Sequence, residues 1–345
     1  MNPILRRAAK PVLALLLVLL GTTAIPGQTP TARRNTRLEQ ALRESLARSP
    51  GIWGVSVKHI ERQELVEIRG EERFQMASVF KVPVLLELLH QVREGKLSLE
   101  ERVEWTAPER YFGSGILVTL APGLRPTIRD LATLMMIVSD NAATDILCHR
   151  LGFDRINARL RSLGLSKTAV DMGTRDLILH ALGLPEEKYR GMTVDELRRF
   201  DWAAHETQVR RNQQQFLREC PNCSTPAEMT LLLEKIVTGQ ALDPEGTQTL
   251  LDILFLQQFN QRLPRWIPYG VRFAHKTGTL TAPVWVVNDA GVLFLPNQQR
   301  VVVTVFSRGE DLGLSDGERK AAIAAAEDQI AEIGRMVFQF YRGQD

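Results

Sequence analysis

Residues 76–81 read Met-Ala-Ser-Val-Phe-Lys, and a leucine-rich apolar run over 85–89 follows them. This pattern predicts a helix that begins at the stretch. Residues three apart share a helix face, so Ser78 and Lys81 should point the same way. A serine hydroxyl becomes a nucleophile when a neighbouring base takes its proton, and a buried lysine with a lowered pKa is such a base. The spacing also fits a serine cap beside a solvated lysine.

Two further triplets favour the chemical interpretation. They are Ser139-Asp140-Asn141, and Lys276-Thr277-Gly278 ahead of an apparent strand. At average residue usage, chance would produce both in this order in about one chain in a hundred or fewer. The three motifs together resemble the signature of the class A β-lactamases and low-molecular-weight penicillin-binding proteins. The stretch Thr225–Met229 and the ending Gln329–Gly334 resemble this family too, so that the resemblance covers roughly residues 36–345.

The resemblance assigns a catalytic role to four of these residues. Ser78 would be the nucleophile that forms an acyl-enzyme, and Lys81 would activate it. Ser139 would pass a proton to the leaving amide nitrogen. Lys276 would supply positive charge beside Ser139 and attract a substrate carboxylate.

The remaining motif residues would bind the substrate. Asn141 would bond the substrate amide and help to position Lys81, and Thr277 would hydrogen-bond the carboxylate. Gly278 would let the substrate lie against the strand. The backbone N–H groups of Ser78 and Thr279 would form the oxyanion hole. Asp140, between two predicted helices, would be structural, because an acid there can cap free N–H groups.

The N-terminus predicts export. Residues 1–27 combine a basic start, an apolar core over 12–20 and small residues at 22–24, as secretory signals do. An uncleaved membrane anchor is the alternative, although the apolar run is shorter than the roughly 20 residues that span a bilayer. Residues 28–35 would form a loose leader. Without the signal the chain has 40 basic and 40 acidic residues, which gives no electrostatic reason to expect nucleic acid or an anionic membrane as partner.

The predicted fold class is α/β, of the β-lactamase/transpeptidase type. Strand-like patterns occupy both ends of the chain, and helical patterns lie between them. We therefore expect an α/β lobe with an antiparallel sheet and flanking helices from residues 36–75 and 265–345. Residues 76–264 would form a helical lobe, with the site at the seam.

The segment 168–225 departs from the family pattern. In class A β-lactamases a short loop here carries a glutamate that activates the deacylating water, and no such glutamate can be placed. A colinear reading brings Thr174, Arg175 and Asp176 to the position, which makes Asp176 the nearest candidate acid. Other acids could serve only if the enlarged loop folds back on itself: Glu186, Glu187 and Glu196.

The cysteines predict a disulfide rather than a metal site. Cys220 and Cys223 are spaced as in a redox motif, half a metal site or a small disulfide loop, and export favours the disulfide. No second cysteine pair or histidine spacing completes a zinc set. Cys148, in an apolar helix, should be buried and free. We expect neither a metal nor a cofactor.

Three functions fit these motifs. The first is a β-lactamase that hydrolyses the lactam amide. The second is a D-alanyl-D-alanine peptidase acting on cell-wall stem peptides, and the third is a catalytically weak penicillin- or peptidoglycan-binding module. The partner is a small β-lactam or a cell-wall peptide in each case. We expect a monomer in the periplasm or outside the cell, without a stable membrane anchor.

Overall fold

The structure, a computed structural model, describes residues 32–106, 112–310 and 313–343. The predicted signal, residues 1–27, and the first part of the predicted leader lie outside the described residues. Among the residues described, no helix has the length and apolar character needed to cross a membrane.

The main sheet takes its strands from both ends of the chain. It has six strands in the order β1-β3-β2-β8-β7-β6, and a separate pair consists of β4 and β5. The strands are β1 (Arg33–Arg34), β2 (Ile52–His59), β3 (Glu64–Ile68), β4 (Phe74–Gln75), β5 (Cys223–Ser224), β6 (Arg272–Leu280), β7 (Val286–Phe294) and β8 (Arg300–Arg308).

Antiparallel pairing joins the two ends of the chain. β2 pairs with β8 from Ile52–Arg308 to His59–Val301, and β8 continues through β7 to β6. The predicted fold class is confirmed, with one correction. The sheet is mixed, because β1 pairs with β3 in parallel, and Asn35 caps the first helix. The last residues of the predicted loose leader therefore belong to the fold.

Twelve α-helices lie in the described residues. They are α1 (Thr36–Leu46), α2 (Lys81–Arg93), α3 (Ile128–Ile137), α4 (Asn141–Leu151), α5 (Phe153–Ser162), α6 (Thr174–Ala181), α7 (Glu186–Tyr189), α8 (Val194–Arg198), α9 (Glu206–Glu219), α10 (Pro226–Val237), α11 (Pro244–Phe255) and α12 (Asp316–Tyr341).

Alternation along the strands separates two apolar cores. Successive strand residues face opposite sides of a sheet. In β8, Val301, Val303 and Val305 pack with α1 and α12, whereas Val302 and Phe306 pack with the central helices. The site described below lies on the side of the central helices.

The segment 168–225 forms a small helical layer of its own. It contains α6 to α9, and a third apolar cluster holds them together through Leu179, Leu184 and Val209. Phe112, from the loop that precedes α3, joins this cluster. The enlarged segment therefore has an apolar core of its own, and α6 is the helix of this segment that lines the site.

Candidate active site

Ser78 and Lys81 lie on consecutive turns at the start of α2. Residues Ala77–Phe80 form a 3₁₀ turn, and α2 begins at Lys81. In a 3₁₀ turn the side chains of residues three apart eclipse each other, so Ser78 and Lys81 share a face as predicted. Pro83 falls in the first turn of α2, where a missing N–H costs little.

Lys81 is buried and fully hydrogen-bonded. Its Nζ donates to the Ser139 carbonyl at 2.8 Å, to the Ser139 Oγ at 3.0 Å and to the Asn141 Oδ1 at 3.0 Å. The structure therefore brings together residues from the first two motifs. The bond to Ser139 Oγ also gives a proton held on Lys81 a direct route to Ser139.

Burial lowers the pKa of Lys81 to about 7, against the opposing effect of the Asp145 and Asp140 carboxylates. The neutral amine is then well populated near neutral pH, as a general base requires. The pKa of Lys276 is also lowered, first by burial and then by the positive charges of Lys81 and Arg262.

The second motif occupies the corner between α3 and α4. Ser139 has a φ of 54°, a left-handed conformation that few non-glycine residues adopt. Asp140 caps α4 through Ala143 N–H at 3.0 Å, and its other oxygen accepts the N–H groups of Ile116 and Leu117. The predicted structural role of Asp140 is confirmed.

The third motif lies on β6, which runs beside the nucleophile. Lys276 is buried, and its Nζ donates to the Thr277 carbonyl at 2.8 Å. Gly278 faces the nucleophile: a Cβ on it would lie 2.5 Å from the Met76 carbonyl oxygen and 3.1 Å from Ser78 N. The missing side chain makes room for the nucleophile turn, because the Cα–Cβ direction at this strand position points at Met76.

Sequence reasoning missed Arg262. This buried guanidinium donates to the carbonyls of Gly278 and Asn288 and to the Thr279 Oγ1, and it pairs with Glu327 at 3.0 Å. It therefore fixes β6 and adds a positive charge next to Thr277 and Thr279. No local motif marks Arg262, which reaches the site from a loop before β6.

Two cavities meet at Ser78. One, of about 320 Å³, is lined mainly by polar residues and is called the polar cavity; the other, of about 220 Å³, has more apolar than polar residues in its lining and is called the apolar cavity. Both are lined by Ser78, Ser114 and Thr279. The polar cavity is also lined by Ser139, Phe259, Gln261, Arg262, Thr277 and Glu327. It contains Ser139, which the resemblance assigns to proton transfer, and Thr277, which it assigns to carboxylate binding.

The apolar cavity is bounded by one face of α6. Thr174, Leu177, Ile178 and Ala181 line it, at the spacing of a helix face. Its lining contains no carboxylate from the residues that the structure describes.

The surrogate acid proposed from sequence does not line this cavity. Asp176 lies on another face of α6, where Arg190 pairs with it at 2.7 Å. Glu186, Glu187 and Glu196 do not line either cavity at Ser78; Glu196, for example, caps α8. Thr174, the first residue of α6, lines the cavity together with Ser78 and so occupies the position that faces the nucleophile.

Asp145 fixes Thr174 in this place. The buried Asp145 carboxylate accepts the Thr174 Oγ1 at 2.8 Å, the Arg175 N–H at 3.0 Å and the Thr174 N–H. The Thr174 hydroxyl also reaches the Asn141 carbonyl at 3.1 Å. The start of α6 is thus tied to the second motif.

The cysteine predictions are confirmed. Cys220 and Cys223 form a disulfide, and Cys148 is buried and free. The His275 side chain points to the opposite face of β6 from that of Lys276. Its Nδ1 lies 2.9 Å from the Asp289 Oδ1, and its Nε2 lies 3.0 Å from the Asn260 Oδ1. Within the described ranges, no group of three histidine, cysteine or acidic residues is arranged to hold a metal ion.

A half-buried serine, a buried lysine of lowered pKa and a second serine bonded to that lysine define a serine hydrolase. The sequence model of the Beta-lactamase enzyme family matches residues 37–341. The chain belongs to this family. Beta-lactamase VEB-1 of Pseudomonas aeruginosa is 24% identical over 356 residues, which cover 96% of this chain and 99% of that protein.

Solved structures share the fold. A beta-lactamase from Sphaerobacter thermophilus has a TM-score of 0.68 and 27% identity, covering 88% of this chain and 97% of that one. PBP-A has a TM-score of 0.70 and 24% identity, covering 92% of this chain and all of that one. The β-lactamase-type fold is therefore established for the whole described core.

Proposed function

We propose that this protein is a β-lactam hydrolase that acylates rapidly on Ser78 and deacylates slowly. Slow deacylation rests on the apolar cavity beside Ser78. Thr174, Leu177 and Ile178 line this cavity, where the family places a water-activating glutamate. The relatives named as beta-lactamases, VEB-1 among them, support the lactam amide as the bond that is cleaved.

The lowered pKa of Lys81 and its position on the same helix face as Ser78 support acylation. Neutral Lys81 takes the Ser78 proton as Ser78 Oγ attacks the lactam carbonyl. Since Lys81 bonds Ser139 Oγ at 3.0 Å, the proton can move through Ser139 to the lactam nitrogen as the amide bond breaks. The N–H groups of Ser78 and Thr279 stabilise the oxyanion. Lys276 and Thr277, with Arg262 close by, bind the substrate carboxylate.

Among the residues that the structure describes, the apolar cavity offers deacylation no carboxylate base. A water that attacks the Ser78 ester from the side of α6 meets Thr174, Leu177 and Ile178, none of which has a side chain that acts as a general base. Losing general-base help typically slows a step by about 10²–10⁴-fold. The acyl-enzyme should therefore accumulate. A variant of PBP-A has been solved as an acyl-enzyme complex with penicillin G, which supports a stable ester in this fold.

An intact-mass time course with penicillin tests the proposal. We expect one penicillin adduct per chain, mapped to Ser78, that persists for minutes, and a burst followed by slow turnover with a chromogenic cephalosporin. Ser78→Ala should abolish the adduct, and Lys81→Met should slow its formation by several orders of magnitude. Rapid linear turnover without a detectable adduct would contradict slow deacylation.

A peptidase is the second candidate, because a missing deacylating glutamate would also suit an enzyme whose β-lactam adducts are inhibitory. The same preparation, given a peptide that ends in D-alanyl-D-alanine, decides between them. Release of D-alanine faster than β-lactam turnover would favour the peptidase. If no D-alanine is released, the result favours the β-lactam hydrolase.

We also propose that the protein is exported as a monomer. The disulfide supports export, since such bonds persist in oxidising compartments. N-terminal sequencing of the mature protein from the periplasm or medium should begin near residue 28, and light scattering should give the monomer mass. A chain that keeps residues 1–27 would contradict cleavage.

A further inference from the structure

The disulfide closes a short loop of unusual backbone conformation. We call residues 220–223 the disulfide loop. Within it, Cys220 has a φ of 51° and Asn222 a φ of 49°. Both are left-handed values that cost energy in residues other than glycine, so the surroundings must hold them in place. The disulfide itself is one of these restraints.

The disulfide loop lies against the residues that immediately precede the nucleophile. β5 pairs with β4, so Cys223 stands opposite Gln75. The Met76 N–H donates to the Asn222 carbonyl at 3.1 Å, and the Gln75 side-chain amide donates to the Pro221 carbonyl. The backbone two and three residues before Ser78 is therefore held by the loop.

Gln75 carries this restraint to the nucleophile turn. The Gln75 Oε1 accepts the Ala77 N–H at 2.7 Å, and Ala77 itself has a left-handed φ of 46°. Ser78 follows directly, and its N–H is a proposed oxyanion donor. A single buried side chain thus links the Pro221 carbonyl to the strained residue beside the nucleophile.

The same loop also holds the opposite wall of the cavity. The fully buried Asn222 side chain accepts the N–H of Asp171 at 2.7 Å and of Met172 at 3.1 Å, and donates to the Met172 carbonyl at 2.9 Å. These residues lead into α6. One four-residue loop therefore sets the nucleophile turn and α6 relative to each other.

We propose that the disulfide loop and Gln75 position Ser78 for acylation. Neither touches the substrate, and the inference rests on the proposed function. Opening the disulfide releases Cys220 and Asn222 from their left-handed conformations. The Gln75 amide then loses its fixed acceptor, and Ala77 its fixed partner. Small displacements of a nucleophile or an oxyanion donor slow a reaction strongly.

The test compares acylation by penicillin in the oxidised and the reduced protein. The second-order rate constant is followed by intact mass, with dithiothreitol as reductant. We expect reduction to slow acylation about tenfold. Gln75→Met, which has a similar size but no amide, should slow it to a similar degree. Reduction of Gln75→Met should add little, because both changes interrupt the same connection.

Two controls separate positioning from a general loss of stability. The double variant Cys220→Ser/Cys223→Ser should be acylated slowly by penicillin, and dithiothreitol should not change its rate constant. Val337→Ala, which removes buried methyl groups on α12, should lower the melting temperature but leave the acylation rate unchanged. The midpoint of the pH profile of acylation should stay the same on reduction while its plateau falls, since Lys81 is untouched.

The outcomes are distinct. Reduction could lower the melting temperature while the reduced protein, well below that temperature, is acylated as fast as the oxidised protein. The disulfide loop would then contribute only to stability, and the inference would be wrong. If penicillin acylates neither form, the proposed function fails, and this inference falls with it.

Discussion

Lys81 shows how burial gives a common side chain the lowered pKa that a general base needs. Its amine lies among the Ser139 carbonyl, the Ser139 hydroxyl and the Asn141 side-chain oxygen, with no exposure to water. Desolvation disfavours the charged form, while Asp145 and Asp140 oppose it. The balance leaves the pKa of Lys81 near neutrality, where an ordinary lysine would be fully protonated.

This balance predicts the pH dependence of acylation. With a pKa of about 7, Lys81 is protonated in acid and neutral in base. The acylation rate should rise about tenfold per pH unit below the pKa and level off above it. Stopped-flow measurements between about pH 5 and about pH 9 would show this. In Lys81→Met the residual rate should have no inflection there, and a wild-type profile that rises only near the pKa of a free lysine would contradict the assignment.

Gly278 offers a second test at a single position. A methyl group there would lie 2.5 Å from the Met76 carbonyl oxygen, so either β6 or the nucleophile turn must move. Gly278→Ala should slow acylation about 10- to 100-fold. The matched control is Gly317→Ala on α12, where a methyl group meets no atom within 4 Å. Equal acylation rates in the two variants would show that the turn tolerates the shift.

Sequence motifs pointed to the proposed reacting residues more readily than to the residues that hold them in place. Ser78, Lys81 and Ser139 belong to short motifs whose chemistry can be inferred without coordinates. Arg262 and Gln75 act through contacts with residues that are distant in sequence, and neither sits in a distinctive pattern. Such partners depend on how loops pack, which local sequence does not encode.

Helix α6 shows why the surrogate acid was misplaced. The colinear reading reached the correct segment, Thr174 to Asp176. Which of these residues faces Ser78 depends on where the helix begins, and Asp145 fixes that point by binding the Thr174 and Arg175 N–H groups. A shift of two residues rotates a side chain by about 200° around a helix, which places Asp176 on the side of Arg190.

A carboxylate at the position facing the cavity should restore deacylation. Thr174→Glu would place an acid beside the Ser78 ester, and it should shorten the acyl-enzyme lifetime about 10²-fold. Intact mass after removal of free penicillin measures the lifetime.

Asp176→Asn is the control for this prediction. Replacing the Asp176 carboxylate breaks the ion pair with Arg190 but changes no residue that lines the apolar cavity. The adduct lifetime and the burst should therefore stay as in the parent protein. A longer lifetime in Asp176→Asn would show that α6 moves in the acyl-enzyme. An unchanged lifetime in Thr174→Glu would show that Leu177 and Ile178 exclude the water regardless of a base.

The whole molecule is organised by a sheet with a different core on each side. Sequence could predict this arrangement, because strand patterns at both ends of the chain must pair to bury their apolar residues. It could not predict the parallel addition of β1, since two arginines carry no strand signal. The packing of α6 to α9 around Leu179 and Val209 was equally hidden, because it depends on contacts between residues of different helices.

The two cores should make stability and acylation separable. Ile330 is fully buried on α12, in the core that lies across the sheet from α2. Ile330→Ala should cost about 2–5 kcal/mol of unfolding free energy, because it leaves a cavity between α12 and the strands. Chemical denaturation followed by tryptophan fluorescence measures this loss.

Acylation of Ile330→Ala by penicillin, measured where the variant is still folded, should match that of the parent protein. The nucleophile turn, α4 and α6 take their contacts from the other core. The comparison variant is Leu85→Ala, buried on α2 itself, which should lose similar stability and also acylate more slowly, because α2 carries Lys81 at its first residue. If Ile330→Ala slowed acylation as much as Leu85→Ala, the sheet would have to transmit the disturbance, and the two cores would not act independently.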